Sequence, residues 1–109
     1  MSKKRAGNPH YYRIMGELMD LHESKNQDYC GAGGGGYEGL DNFIHAANWA
    51  GCGLRIVFKV FQGTKQSRIA SLEAEDIEAN HESITDSKRD LINYLALELA
   101  AEATYPELM

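Results

Sequence analysis

The first apolar pattern of the chain follows Asn8-Pro9 and recurs at helical spacing. It comprises Tyr11, Ile14, Met15, Leu18, Met19, Leu21 and His22, which a helix places along one side. Asn is a common residue at helix N-caps, and Pro suits the first helical position. The pattern therefore predicts a helix from Pro9 to about Lys25.

The next segment is dominated by glycine, which accounts for most of "GAGGGGYEG" at residues 31–39. Glycine disfavours every regular element, so this segment predicts a loop. After the loop, Asp41 or Asn42 is suited to cap a second, short helix that runs through Ala50. Gly51 or Gly53 is then expected to end it.

The pattern after Leu54 fits two interpretations. "RIVFKVF" at residues 55–61 alternates like a β-strand, but apolar residues keep a helical period from Leu54 to Leu72. A lone strand would leave its backbone groups unpaired, and no second strand-like run follows. The sequence therefore predicts a helix, with a bend at Gly63 left open.

A last helix is expected after a polar segment at residues 73–81. Asn80 is a candidate cap, and Tyr105-Pro106 is expected to end the helix after about Ala103. The four helices predict an all-α fold, a compact bundle.

Composition and charge narrow the classes of function. A chain of 109 residues predicts a single helical domain over residues 9–109 after a disordered basic tail at residues 1–8. The net charge of −5 argues against non-specific binding to nucleic acid. No apolar run approaches the length of a membrane span, and no signal peptide is visible, so we expect a cytoplasmic protein. Cys30 and Cys52 are expected to be reduced thiols.

The helix predicted after Asn80 carries three acids four residues apart: Glu82, Asp86 and Asp90. At about 100° per residue they form one stripe, away from the main apolar stripe of that helix. Like charges at this spacing destabilise a helix by roughly a few tenths of a kcal/mol per pair. The simplest interpretation is the solvated side of an amphipathic helix.

The continuation of the acidic stripe favours a second interpretation. After Asn93 the same side of the helix carries Ala96, Leu97 and Ala100, so both sides of its second half are expected to be buried. The acids would then lie at the mouth of a packed seam. Mg²⁺ would neutralise them there, because it prefers carboxylate oxygens and also binds phosphates.

Four segments in this order resemble a family of proteins. They read "HESKNQDY" at 22–29, "DNFIHAANWAG" at 41–51, "KQSRIASL" at 65–72 and "ESITDSKRDLINYLAL" at 82–97. The ordered set resembles the nucleotide-modification-associated domain, which is mostly phage-encoded and is placed near the MazG-like nucleoside triphosphate pyrophosphatases and dimeric dUTPases.

The resemblance implies a MazG-like all-α fold, a homo-oligomer (dimer or larger) and Mg²⁺-dependent hydrolysis of a nucleotide between its α- and β-phosphates. It implies Glu82, Asp86 and Asp90 as metal ligands, with Asp90 and Glu82 as the catalytic residues. The implied nucleotide-binding residues are Lys25, Asp28, Asn42, Lys65, Arg68 and Asn93. The setting would be the cytoplasm of a phage-infected bacterium.

Two alternatives remain open at this point. MazG-like enzymes usually pair a Glu-x-x-Glu helix with a Glu-x-x-Asp helix, whereas this chain has Glu17-x-x-Asp20 and a four-residue step from Glu82 to Asp86. This departure favours a non-catalytic phage protein that binds and sequesters a nucleotide signal. The third hypothesis is a helical assembly protein without a small ligand.

Trp49 is expected to belong to the core rather than to stack on a base.

Overall fold

The computed structural model describes residues 5–30, 37–75 and 78–109, without the side chains of residues 26–30 and 79. Its α-helices are α1 (Pro9–Cys30), α2 (Asp41–Ala50), α3 (Leu54–Glu75) and α4 (His81–Thr104). Short 3-10 helices span Glu78–Asn80 and Pro106–Leu108. These described residues contain no strand, so the all-α prediction is confirmed. By their internal contacts they group into two compact units, Met1–Gly39 and Leu40–Met109.

The first unit contains α1, which begins as the sequence predicts. The Asn8 side-chain oxygen accepts hydrogen bonds from the backbone N–H groups of His10 (2.8 Å) and Tyr11 (3.2 Å). The Tyr12 hydroxyl accepts a hydrogen bond from the Gly7 N–H at 3.0 Å, and the Arg5 guanidinium lies over the Tyr12 ring. Residues 5–8 are thus tied to α1. Lys3 and Lys4 of the predicted basic tail, and residues 31–36 of the predicted glycine-rich loop, lie outside the described residues.

The second unit begins with α2, whose predicted C-terminus is confirmed and whose predicted cap is wrong. Gly51 adopts a left-handed backbone with φ of 71°. This conformation is nearly free of strain in glycine only, and it lets the chain turn out of the helix. At the other end the N-cap is Leu40, with no side-chain hydrogen bond. Leu40 is buried at 3% exposure, so apolar packing holds this end of α2 instead of a polar cap.

The core of the second unit forms where α2 lies on α3 and α4. Its buried residues are Leu40, Phe43, Ile44, Ala47, Leu54, Val57, Phe58 and Ala101. Phe43 stacks on Phe58 with ring centroids 4.7 Å apart, and it meets Phe61 at 5.5 Å and Tyr94 at 6.1 Å. These contacts dock the short helix α2 against both long helices.

Helices α3 and α4 form an antiparallel pair along their length. Gly63 does not interrupt α3, which is helical from Leu54 to Glu75. Asn80 is the N-cap residue of α4 but makes no capping hydrogen bond through its side chain. Its amide instead donates to the Glu75 carboxylate at 2.9 Å. Asn80 therefore ties the start of α4 back to the end of α3.

Several predictions of burial are wrong for the single chain. Trp49 is 87% exposed and lies outside the core. Ala96 and Ala100, expected to be buried, are exposed, whereas Ala47 is buried in the core.

In the described ranges, none of the helices combines the length and the apolar character that crossing a membrane would require.

Candidate functional site

The acidic stripe of α4 meets α3 through an ion pair. The Lys65 ammonium lies 2.9 Å from an Asp90 carboxylate oxygen, and their side chains are 26% and 37% exposed. The pair lies one helical turn beyond the ring contact between Phe61 and Tyr94, whose centroids are 5.5 Å apart. A partly buried ammonium and carboxylate thus adjoin the aromatic core. The charge of Asp90 is compensated by a basic side chain from the neighbouring helix.

Three further polar residues lie on the same side of the two helices. Arg68 follows Lys65 by three residues, and Asp86 and Asn93 lie four before and three after Asp90. Residues three and four apart are neighbours on a helix surface. Arg68 and Asp86 are exposed, and Asn93 is half-buried. We call these five residues, Lys65, Arg68, Asp86, Asp90 and Asn93, the Lys65 site.

The Lys65 site opens on the side of the α3–α4 pair that α2 partly covers. Val57, Phe61 and Leu97 belong to or pack against the core cluster that α2 completes. Arg68 follows Phe61, and Asn93 precedes Leu97, at the helical spacing that keeps them on this side. Asn42, which is exposed, immediately precedes Phe43, whose ring meets Phe61 one helical turn from Lys65.

The two carboxylates Glu82 and Asp86 are both exposed and lie one turn apart. From Glu82 to Asp90 the helix rises about 12 Å, so one ion cannot bind all three predicted ligands. Consistently, no group of three or more His, Cys, Asp and Glu side chains in the described ranges is arranged to hold a metal ion. Mg²⁺ commonly uses one or two carboxylates together with substrate phosphates and water. Two neighbouring acids of the stripe fit that mode of binding.

Two predicted site residues, Lys25 and Asp28, belong to the first unit. Lys25 is exposed on α1. Asp28 lies on the last turns of α1, and its side chain is outside the described part of the structure. The Lys65 site therefore consists of residues of the second unit, and its observed contact is the ion pair between Lys65 and Asp90.

A second polar cluster, which was not predicted, lies between α3 and α4 about one helical turn from Lys65. Glu98, only 7% exposed, accepts a hydrogen bond from the Gln62 amide at 2.8 Å. Arg55 contacts Glu98 at 3.4 Å and Glu102 at 2.7 Å. Its hydrogen bond to Glu102 raises the pKa of the Arg55 guanidinium, which stays charged at any physiological pH. The sequence signal for this cluster was Glu98 itself, a charged residue between Tyr94 and Ala101 on the side of α4 that packs on α3.

A small cleft lies between α2 and the C-terminus. It has a volume of about 190 Å³ and is lined by Ile44, Ala47, Asn48, Cys52, Leu54, Glu107 and Leu108. Pockets for drug-sized ligands usually measure about 300–1,000 Å³. The cleft is thus small for a nucleotide, and the Lys65 site remains the better candidate.

Comparisons of the chain with models of protein families, with curated proteins and with solved structures found no match. The resemblance to the nucleotide-modification-associated domain therefore remains a hypothesis carried by the motifs themselves.

Proposed function

We propose that this protein binds a nucleotide at the Lys65 site and hydrolyses its phosphate chain with Mg²⁺, as a MazG-like pyrophosphatase of phage nucleotide metabolism. The observation that carries the proposal is the Lys65–Asp90 ion pair, which places a partly buried ammonium beside a stripe of carboxylates. Basic side chains bind phosphate, and carboxylates bind the metal that accompanies it.

Each residue of the Lys65 site has a role in this proposal. Lys65 and Arg68 bind phosphate oxygens, and Asn93 with Asn42 hydrogen-bonds the base or the sugar. Asp86, together with Glu82 or Asp90, holds Mg²⁺, which when bound would polarise the phosphate and lower the pKa of water. Asp90 released from Lys65 by the phosphate is the general base of the hydrolysis. Lys25 and Asp28 of the first unit stay predictions of the sequence motif and are not assigned to the Lys65 site.

The experiment is to incubate the purified protein with a panel of nucleoside mono-, di- and triphosphates and Mg²⁺, and to separate the products by chromatography. We expect turnover of at least one nucleotide to a monophosphate and pyrophosphate or phosphate. Lys65→Ala should abolish turnover, whereas Lys59→Ala, an exposed lysine of the same helix, should leave it unchanged. Equal loss in both variants would point to a general effect of charge and contradict the proposed site.

A second function, a non-catalytic nucleotide binder, is favoured by one specific observation. Asp90 is already engaged by Lys65, and the stripe from Glu82 to Asp90 is too long to converge on one ion. In this alternative the phage protein sequesters a host signalling nucleotide. Nucleotide that co-purifies intact with the protein, without turnover at any Mg²⁺ concentration, would support the binder over the enzyme.

We also propose that the chain works as a homo-oligomer in the cytoplasm of the infected bacterium. Large apolar side chains exposed on the second unit support this part, with Leu99 at 66% and Leu95 at 45% exposure. Light scattering at micromolar concentration should report a mass of at least twice 12.1 kDa. A monomer under these conditions would contradict self-association without affecting the nucleotide proposal.

A further inference from the structure

Helix α4 carries a second apolar stripe in addition to the one that packs on α3. Its three apolar residues are Ile92, Leu95 and Leu99, and it ends in a charged residue on each side, Lys88 and Glu102. Their spacing of four, three, four and three residues is the 3.5-residue repeat of a coiled-coil seam. Ile92, Leu95 and Leu99 are 38%, 45% and 66% exposed. We call these five residues the outer α4 stripe.

The apolar residues of the outer α4 stripe are distinct from the buried side of α4. The inner stripe of α4 includes Ser87, Glu98 and Ala101, all buried. Leu95 is rotated from Ala101 by about 120°, and Leu99 by about 160°, so both point away from the buried side of α4. Three large aliphatic side chains within three turns of one helix thus form an exposed apolar seam.

The charges at the two ends of the outer α4 stripe decide which partner fits it. Lys88 precedes Leu95 by seven residues, and Glu102 follows it by seven. If a second α4 lies antiparallel on the first, with Leu95 at the crossing point, Lys88 of each chain lies level with Glu102 of the partner subunit. A parallel arrangement would instead place Lys88 beside Lys88 and Glu102 beside Glu102. The sequence of the stripe is thus complementary to its own reverse.

We infer that two copies of this chain associate through the outer α4 stripe, antiparallel, around a two-fold axis that passes at Leu95. This rests on the proposed self-association and specifies its surface. A two-fold interface brings the same patch of both subunits together, which a stripe complementary to its own reverse allows. From Lys88 to Glu102 the contact is about 21 Å long.

The end charges are available for this contact. Lys88 lies 3.8 Å from Glu73, and both side chains are more than half exposed, so this surface pair is weak and easily exchanged. Glu102 is 38% exposed and accepts from Arg55 through one of its oxygens. The second oxygen can accept from Lys88 of the partner subunit. The outer α4 stripe also lies away from the Lys65 site, so dimer formation leaves that site open.

A cysteine at the crossing point tests the two-fold axis, because a residue on the axis meets its own copy. In a Cys30→Ser, Cys52→Ala background, Leu95→Cys should form a disulfide-linked dimer under mild oxidation at low micromolar concentration. Val60→Cys, at a comparably exposed apolar position of α3, is the matched control and should stay monomeric on a non-reducing gel. Leu95→Cys that stays unlinked, or Val60→Cys that links equally, would overturn the inferred interface.

A charge exchange tests the antiparallel pairing independently. Lys88→Glu and Glu102→Lys alone should each raise the dimer dissociation constant by up to about thirtyfold, because each removes both symmetry-related pairs, worth up to about 1 kcal/mol apiece. Lys88→Glu combined with Glu102→Lys should recover dimer formation, measured by sedimentation or light scattering. A double variant no better than the single variants would overturn the pairing.

The outcomes also separate the interface from the broader proposal. A dimeric wild type whose Leu95→Cys variant does not cross-link would retain self-association and overturn this surface. A monomeric wild type would overturn both. A Leu95→Cys thiol that is also unreactive toward a small alkylating reagent in such a monomer would show that the chain covers the stripe itself.

Discussion

The Gln62 side chain donates a 2.8 Å hydrogen bond to the carboxylate of Glu98 across the interface between α3 and α4. Both residues are nearly buried, at 6% and 7% exposure. A buried carboxylate is costly unless it is paired and hydrogen-bonded, and here Gln62 and Arg55 supply the partners. The contact can form at one alignment of the two helices only, so it helps to fix their register.

Gln62→Leu should therefore destabilise the protein by about 1–3 kcal/mol, because Glu98 loses a donor that water cannot replace. Gln66→Leu is the matched control on the same helix, since Gln66 is exposed and its replacement should change stability by about 0.5 kcal/mol or less. Urea unfolding followed by circular dichroism measures both. The double variant Gln62→Leu, Glu98→Leu should recover most of the loss, and a loss that simply adds would contradict the coupling.

The helices could be predicted from the sequence because their signals are local. The Asn8 cap, the end of α2 at Gly51 and the end of α4 at Tyr105 depend on residues within one turn of the boundary. The start of α2 could not be predicted in this way. Leu40 is held there by burial in a core built from distant parts of the chain, which outweighs the capping ability of Asp41.

Phe43 should be the residue on which the docking of α2 depends most. Its ring contacts Phe58, Phe61 and Tyr94, so Phe43→Ala should cost about 3–5 kcal/mol. Trp49→Ala removes a larger ring from the same helix but one that is 87% exposed, and it should cost about 0.5 kcal/mol or less. Thermal unfolding of both variants checks this. A loss from Trp49→Ala comparable with that from Phe43→Ala would refute the position of α2.

The position of Trp49 shows why composition alone misled. Trp is usually largely buried, but burial is set by the side of the helix on which a residue lies. Trp49 follows Phe43 by six positions, so the two side chains lie about 120° apart around the helix axis. Ala47 completes the inner side of α2 instead.

Gly63 and Gly53 should respond to alanine in opposite ways. Gly63 lies in the interior of α3, and a Cβ placed there has no atom within 4 Å. Gly63→Ala should stabilise the protein by about 0.5–1 kcal/mol, because alanine loses less backbone entropy in a helix. A Cβ at Gly53 would lie 2.5 Å from the Met109 carbonyl oxygen, so Gly53→Ala should be destabilising. Urea midpoints that move in the same direction for both variants would contradict the packing at the C-terminus.

The Lys65 site could be predicted only in part. The acidic stripe and Lys65 were both identified, because polar residues at helical spacing are visible in the sequence. Their pairing was not, because nothing local specifies which residue of α3 faces Asp90. That choice follows from the antiparallel register of α3 and α4, which the contacts of Gln62 and Arg55 with Glu98 help to set.

Asp86→Asn separates a ligand site from a solvated helix surface. Without ligand the change should be neutral or slightly stabilising, because it removes a like charge one turn from both Glu82 and Asp90. If Asp86 holds Mg²⁺, the variant should lose most of the rise in melting temperature that Mg²⁺ and nucleotide give the wild type. That rise corresponds to about 2.7 kcal/mol at a ligand concentration 100 times the Kd.

The informative quantity is the difference between the two ligand-induced shifts, since either melting temperature alone also reports charge repulsion. Glu107→Gln is the control, because this exposed acid belongs to the C-terminal 3-10 helix and to no part of the Lys65 site. It should retain the full shift. An Asp86→Asn variant that also keeps the full shift would mean that Asp86 binds no metal with the nucleotide, and that its spacing reflects only the polar side of α4.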